Sequence, residues 1–147
     1  MDDEADLFAD RIEVHKAKRE MLLLREGRVI GRYRVGIGQS PIGPKQRQGD
    51  GKTPEGAYTI SGRNPASAYH LALRISYPNA ADVERARTAG EDPGGDIMIH
   101  GRPNNEPESE RRARMGDWTA GCIAVTNEEI EEIWRLVPNG TPIEIQP

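Results

Sequence analysis

The chain has 147 residues, enough for one domain with its own core and too few for two sizeable ones. A 35% hydrophobic and 30% charged composition with 16 Gly and 11 Pro excludes collagen, coiled coil and wholesale disorder, and it predicts many turns. Twenty-four acidic against 20 basic residues give a net charge of −4, and aromatics make up 5%, so neither a duplex footprint nor a stacking platform for single strands is expected, and nucleic acid is not an expected partner.

The first ten residues, MDDEADLFAD, are acidic where a secretory leader is basic and then apolar. They read as a tail over residues 1–10, ahead of a single domain over 11–147. The chain as it stands is expected in the cytoplasm, and in the periplasm if a leader precedes it. No apolar run is longer than the four residues Met21 to Leu24, so no membrane span is expected. Arg11 to Lys16 alternates Ile12 and Val14 with Glu13 and His15, the period of a half-buried strand. Met21 to Arg25 and Val29 to Gly36 form a hairpin around Glu26-Gly27.

Residues 36–56, GIGQSPIGPKQRQGDGKTPEG, carry Gly and Pro throughout and no period, which predicts a loop. Its Gly49-Asp50-Gly51-Lys52-Thr53 lacks the full spacing of a phosphate-binding loop and reads as a turn cluster at a cleft mouth. Ala57 to Ile60, Leu71 to Ser76 and Ile97 to His100 are short strands, with a helix over Asp82 to Ala89 between the last two. A charged loop from Arg102 to Gly116 leads to a strand over Cys122 to Val125. Thr126 and Glu129 then form a capping box. Ile130, Ile133, Trp134 and Val137 make one buried helical stripe, ended by Pro138-Asn139-Gly140, and Pro142 to Ile145 closes the domain as a strand. Many short strands with one strong helix predict a mainly β fold.

Cys122 is the single cysteine, so the fold uses no intrachain disulfide. It reads either as a small buried hydrophobe or as a nucleophile. Polar residues Asp117-Trp118-Thr119 run into Ala120-Gly121 and leave the thiol at a strand edge. A Gly before a nucleophile permits close backbone approach and lets main-chain N–H groups converge on an oxyanion. A thiol needs a neighbouring base. His15 faces solvent on the first strand, and His70 opens a strand as either a core or a cleft-wall residue. His100 ends the apolar run Ile97-Met98-Ile99 before Gly101, where it reads either as a hydrogen-bonded structural residue or as a polar side chain facing a cleft.

His100-Gly101 followed by Thr119-Ala120-Gly121-Cys122 resembles the signature of the L,D-transpeptidase catalytic domain, the YkuD-type family of peptidoglycan enzymes. The upstream Gly51-Lys52-Thr53-Pro54-Glu55-Gly56 extends the resemblance, which covers about Asp10 to Ile145. The resemblance implies a β-sandwich-like domain with mixed sheets and a helix packed beside the active site. It implies that Cys122 attacks the carbonyl of an L-centre, typically meso-diaminopimelate, and expels the terminal D-Ala, with His100 as the base. A backbone carbonyl, here that of Gly101, would orient the second ring nitrogen. The thioester would pass to another stem peptide in a transpeptidase, or to water in a carboxypeptidase. Capture by carbapenems is implied as well, and no cofactor is.

The chain departs from that pattern in three places, the first a somewhat long, Arg-rich spacer between His100 and Thr119 that fits a variable lid. Ala120 stands where many members have a second His. Ile123-Ala124 stands where members place Arg or Asn, a contact that Asn127 could supply. Gly121 and Ala120 are the candidate oxyanion amides, and Thr119, Trp118, Arg102 and His70 the candidate substrate contacts. Arg102, two residues after His100, could grip a stem-peptide carboxylate, and Trp118 could wall the cleft, while Trp134 belongs to the core. Arg111, Arg112 and Arg114 beside Glu106, Glu108 and Glu110 form a solvated mixed-charge loop. Two other functional classes remain open, a silent peptidoglycan-binding module and a metal site of Cys122 with His100 and His70. The absence of any close-spaced ligand pair disfavours the metal site.

Overall fold

The computed structural model describes residues 8–107 and 116–147. The acidic residues 1–7 and the loop residues Glu108, Glu110, Arg111, Arg112 and Arg114 lie outside them. In chain order the elements are β1 (Arg11–His15), β2 (Glu20–Arg25), β3 (Arg28–Arg34), β4 (Gly56–Ser67), β5 (His70–Ile75), α1 (Ala80–Thr88), β6 (Met98–His100), β7 (Ile123–Ala124), α2 (Asn127–Leu136) and β8 (Pro142–Gln146). The strands run in the order β3-β2-β1-β8-β4-β5-β6-β7. The β1–β8 and β6–β7 pairs are parallel and the rest antiparallel, so the sheet is mixed.

The sheet curls because β4 belongs to both halves. Gly56 to Thr59 pair with β8, and Ile60 to Ser67 pair with β5 across two irregularities of register. Bulges of this kind bend a strand and increase its twist. They also explain why β4 outruns the strand expected to end at Ile60, since Gly62, Asn64 and Pro65 fall where the register shifts. The two ends of the sheet approach each other. Gly36, just past β3, exchanges backbone hydrogen bonds with Ala124 of β7 at 2.9 and 2.8 Å.

Strict alternation builds the core. Ile12 and Val14, Met21 and Leu23, Leu73 and Ile75, Ile97 and Ile99, Ile123 and Val125, and Ile143 and Ile145 face one cluster. Ile130 and Ile133 of α2 and Val137 just after it close it, and the Thr126–Glu129 capping box forms as the sequence predicts. Trp134 is only half-buried, with the Arg63 guanidinium 4.6 Å from its ring centre. Helix α1 starts two residues earlier than expected, because Asn79 and Asp82 form a capping box of their own. Ala9 and Asp10, assigned to the tail, already belong to the fold. Their amides donate to Leu136 and Leu24 carbonyls at 2.8 and 2.9 Å, and Ala9 is buried.

Candidate functional site

The residues facing away from the core on three neighbouring strands fall into two rows. Ala72 of β5 pairs with His100 of β6, and His100 with Ala124 of β7. One step along, Arg74 pairs with Met98, and the parallel register carries that row on to Cys122. Cys122 and His100 are therefore diagonal neighbours on one face, with Cα atoms roughly 8 Å apart from strand spacing and rise.

His100 is buried, and its ring is held from three directions. Its Nδ1 lies 2.8 Å from the carbonyl oxygen of Gly101. A carbonyl only accepts, so Nδ1 carries the proton and Nε2 presents a lone pair. The Tyr69 ring stacks on the imidazole, with centroids 4.3 Å apart and planes at 19°. Trp118 lies tilted against both, 5.7 Å from His100 and 5.9 Å from Tyr69. Burial pushes the His100 pKa below its ordinary value, more than the Gly101 hydrogen bond raises it. Gly101 itself has no room for a side chain, since a Cβ would sit 2.6 Å from Asn127 Oδ1.

The Cys122 thiol is partly exposed and donates to the Asp96 carbonyl at 3.3 Å. Burial among its neighbours pushes its pKa up, while a backbone hydrogen bond from Met98 pulls it down. Asp96 sits in the left-handed region, φ 55°, and its carboxylate is 2.9 Å from Arg74.

Thr119 shapes the turn that leads into Cys122 from inside. Its buried hydroxyl accepts from the Gly121 N–H at 3.1 Å and donates to the Cys122 carbonyl at 2.7 Å. The structure thus uses Thr119 as a turn brace, where the sequence suggested a substrate contact, and the Gly121 amide is already engaged. Ala120 is exposed at the tip of the same turn. Upstream, Asp117 is gripped by Arg19 through Nε and Nη2 at 2.8 to 3.0 Å and accepts from the Ile37 amide at 3.2 Å.

The remaining candidates divide. Trp118 and Arg102 line a cavity of about 540 Å³ that shares Ala124 with the row and is also walled by Arg19, Arg34 and Gly36. The Arg102 guanidinium is 3.7 Å from the Glu106 carboxylate, and its backbone N–H donates to Asn127 Oδ1 at 2.8 Å. Asn127 thus holds the segment after His100. His70 is not brought to the cluster; its Nε2 lies 3.3 Å from Glu131 on α2. Tyr69, Arg74 and Asp96 were missed by sequence reasoning. Arg74 left a trace, as the one charge in Leu71-Ala72-Leu73-Arg74-Ile75, whereas Tyr69 and Asp96 left none. Among the described residues, no three His, Cys, Asp or Glu groups come together as a cation site.

A curled mixed sheet carrying a histidine and a cysteine on adjacent strands is the architecture of a known enzyme class. The model of the L,D-transpeptidase catalytic domain, YkuD, matches residues 9–145, and the chain belongs to that family. Escherichia coli (strain K12) YafK, provisionally named an L,D-transpeptidase, is 35% identical over 134 residues, covering 86% of this chain and 46% of YafK. The chain therefore spans about half the length of the curated relatives it matches.

Solved structures share the fold, among them the two that follow. The helical cell shape determining protein Pgp2 from Campylobacter jejuni superposes with a TM-score of 0.70 at 24% identity, covering 93% of this chain and 47% of Pgp2. Bd1075 from Bdellovibrio bacteriovorus gives a TM-score of 0.63 at 28% identity, covering 98% and 49%. No helix among the described residues is long and apolar enough to cross a membrane.

Proposed function

We propose that the domain catalyses acyl transfer through Cys122 at the L,D bond of peptidoglycan stem peptides. The observation that carries this reading is the tautomer of His100, with its proton on Nδ1 and a lone pair on Nε2, in a residue that shares one sheet face with Cys122. As Sγ adds to the carbonyl of the L-centre, its proton passes to Nε2. The tetrahedral intermediate collapses, the C–N bond breaks, and the departing D-Ala amine takes that proton from Nε2. Cys122 is left as a thioester. An incoming amine or water adds to the thioester carbonyl as its proton passes to Nε2, the new C–N or C–O bond replaces the C–S bond, and the departing sulfur takes that proton back, restoring the thiol.

Arg74, in the Cys122 row, offers a guanidinium to a carboxylate of the donor peptide. Its present partner is the well-exposed Asp96, and surface pairs of this kind are weak, about 0–1 kcal/mol. The cavity beside Trp118 gives a second peptide somewhere to lie. Transpeptidase and carboxypeptidase differ only in what resolves the thioester.

Mass spectrometry of a disaccharide-tetrapeptide incubated with wild type and Cys122→Ala tests the reading. Cross-linked dimers, or exchange of D-Ala for an added D-amino acid, identify a transpeptidase. Loss of D-Ala alone identifies a carboxypeptidase. No Cys122-dependent product refutes both and leaves a binding module.

A further inference from the structure

The segment Gly51-Lys52-Thr53-Pro54-Glu55-Gly56 has no chemistry assigned to it, yet its Thr53 is fully buried against the nucleophile turn. The Thr53 hydroxyl accepts from the Gly38 N–H at 2.9 Å and donates to the Gly121 carbonyl at 2.8 Å. Its own carbonyl accepts from Lys16 Nζ at 2.7 Å. That lysine is 2% exposed, and its ammonium also reaches Gly43 O at 2.9 Å and Glu55 Oε2 at 3.1 Å. Gly121 has φ 142°, and a Cβ there would sit 2.7 Å from the Lys52 carbonyl, so the two backbones are in close contact.

We propose that Thr53 is a positioning residue for Cys122, and that buried Lys16 is the anchor that holds Thr53 in place. This deepens the acyl-transfer reading and rests on it. The Gly121 carbonyl belongs to the peptide plane that ends at the Cys122 nitrogen. In a trans peptide the N–H points opposite to the C=O. Holding Gly121 O against Thr53 therefore fixes where the Cys122 N–H points, and constrains the direction in which Cα–Cβ leaves that plane. Thr119 fixes the next carbonyl, that of Cys122, so both peptide planes around the nucleophile are clamped by threonine hydroxyls.

Lys16 explains why the clamp is rigid. Removing an ammonium from water is costly unless it is fully hydrogen-bonded, and this one ties β1's end to Gly43, Thr53 and Glu55 of the loop. A loop of 21 residues rich in Gly and Pro is otherwise a poor platform for placing one hydroxyl against an active-site turn.

The test compares Thr53→Val, Thr53→Ser and Tyr58→Phe in the full chain. Tyr58→Phe removes another buried hydroxyl bond, to Asp82 at 2.7 Å, away from the thiol. The readouts are kcat and KM on the tetrapeptide, the rate of Cys122 alkylation by iodoacetamide, and the melting midpoint. Thr53→Val is expected to lower kcat about tenfold or more with KM held within about twofold, because misplacing a reacting atom costs rate rather than binding. Its alkylation rate shifts too, and Thr53→Ser restores both to within about twofold of wild type.

A Thr53→Val enzyme with wild-type kcat and alkylation overturns the proposal. So does a loss no larger than that of Tyr58→Phe, or a serine that does not rescue. If Thr53→Val does not fold, Glu55→Gln takes its place. Loosening the Lys16 anchor is then expected to lower kcat about threefold with KM unchanged, and wild-type kcat in that variant counts against the proposal. If wild type turns over no stem peptide, the reaction assignment fails, and the alkylation rates alone still decide whether Thr53 positions Cys122.

Discussion

The Tyr69 ring lies 4.3 Å from the His100 imidazole and almost parallel to it, while the Tyr69 carbonyl accepts from the Gly101 N–H at 3.0 Å. One residue thus holds the imidazole by its face and the following peptide by its backbone. A ring pair of this kind contributes about 1 kcal/mol beyond buried area. Tyr69→Ala is therefore expected to lower kcat about fivefold, and Tyr69→Phe to leave it near wild type, since stacking needs no hydroxyl. Steady-state kinetics of both variants checks this, and equal losses in the two contradict it.

The pH profile follows from burial. Burial depresses the His100 pKa and raises that of Cys122, so at neutral pH both groups are uncharged, a thiol beside a neutral base. Protonating His100 removes the base, so kcat/KM falls as pH drops, with an inflection below the ordinary histidine value of about 6.5. The same depression sets the sign of stability. The unfolded chain binds the proton first, so folding stability is lost as pH falls from about 6.5 through the native pKa. An acid limb at or above that value contradicts the assignment.

Arg74 predicts a substrate preference. Replacing the terminal D-Ala carboxylate with an amide is expected to raise KM in wild type. Arg74→Ala is expected to bind acid and amide alike, at the level of wild type with the amide. A charged hydrogen bond of this sort is worth about 1.5–3 kcal/mol, or roughly tenfold to a hundredfold in KM. An acid-to-amide ratio unchanged in Arg74→Ala rules the role out.

Gly121→Ala tests the close approach at the turn. The new methyl meets the Lys52 carbonyl at 2.7 Å, a backbone atom that cannot swing aside, and the position has φ 142°. Overpacking with backbone strain predicts a loss of about 2–3 kcal/mol. Urea denaturation with Cys122 blocked in both proteins measures it.

Part of this was legible in the sequence because it is local. Alternation in Arg11 to Lys16 and the short apolar run ending at His100 mark strands, Thr126-x-x-Glu129 marks a helix start, and His100-Gly101 with Thr119-Ala120-Gly121-Cys122 marks the family. What the sequence hides is non-local. Tyr69 reaches His100 only because β4 and β5 turn back just before β5 pairs with β6. Asp96 reaches the thiol through a left-handed backbone that no side chain advertises. Thr53 is 68 residues from the carbonyl it holds. His70 looked well placed at a strand start, but its own positive φ accompanies a side chain directed to Glu131 on α2.

The central claim is a covalent one, that Cys122 carries the acyl group. Intact-protein mass spectrometry of wild type quenched during turnover of a tetrapeptide tests it directly. The account predicts an adduct equal to the tetrapeptide minus D-Ala, located on the peptide containing Cys122, and absent from Cys122→Ala together with D-Ala release. D-Ala release that persists in Cys122→Ala contradicts the account.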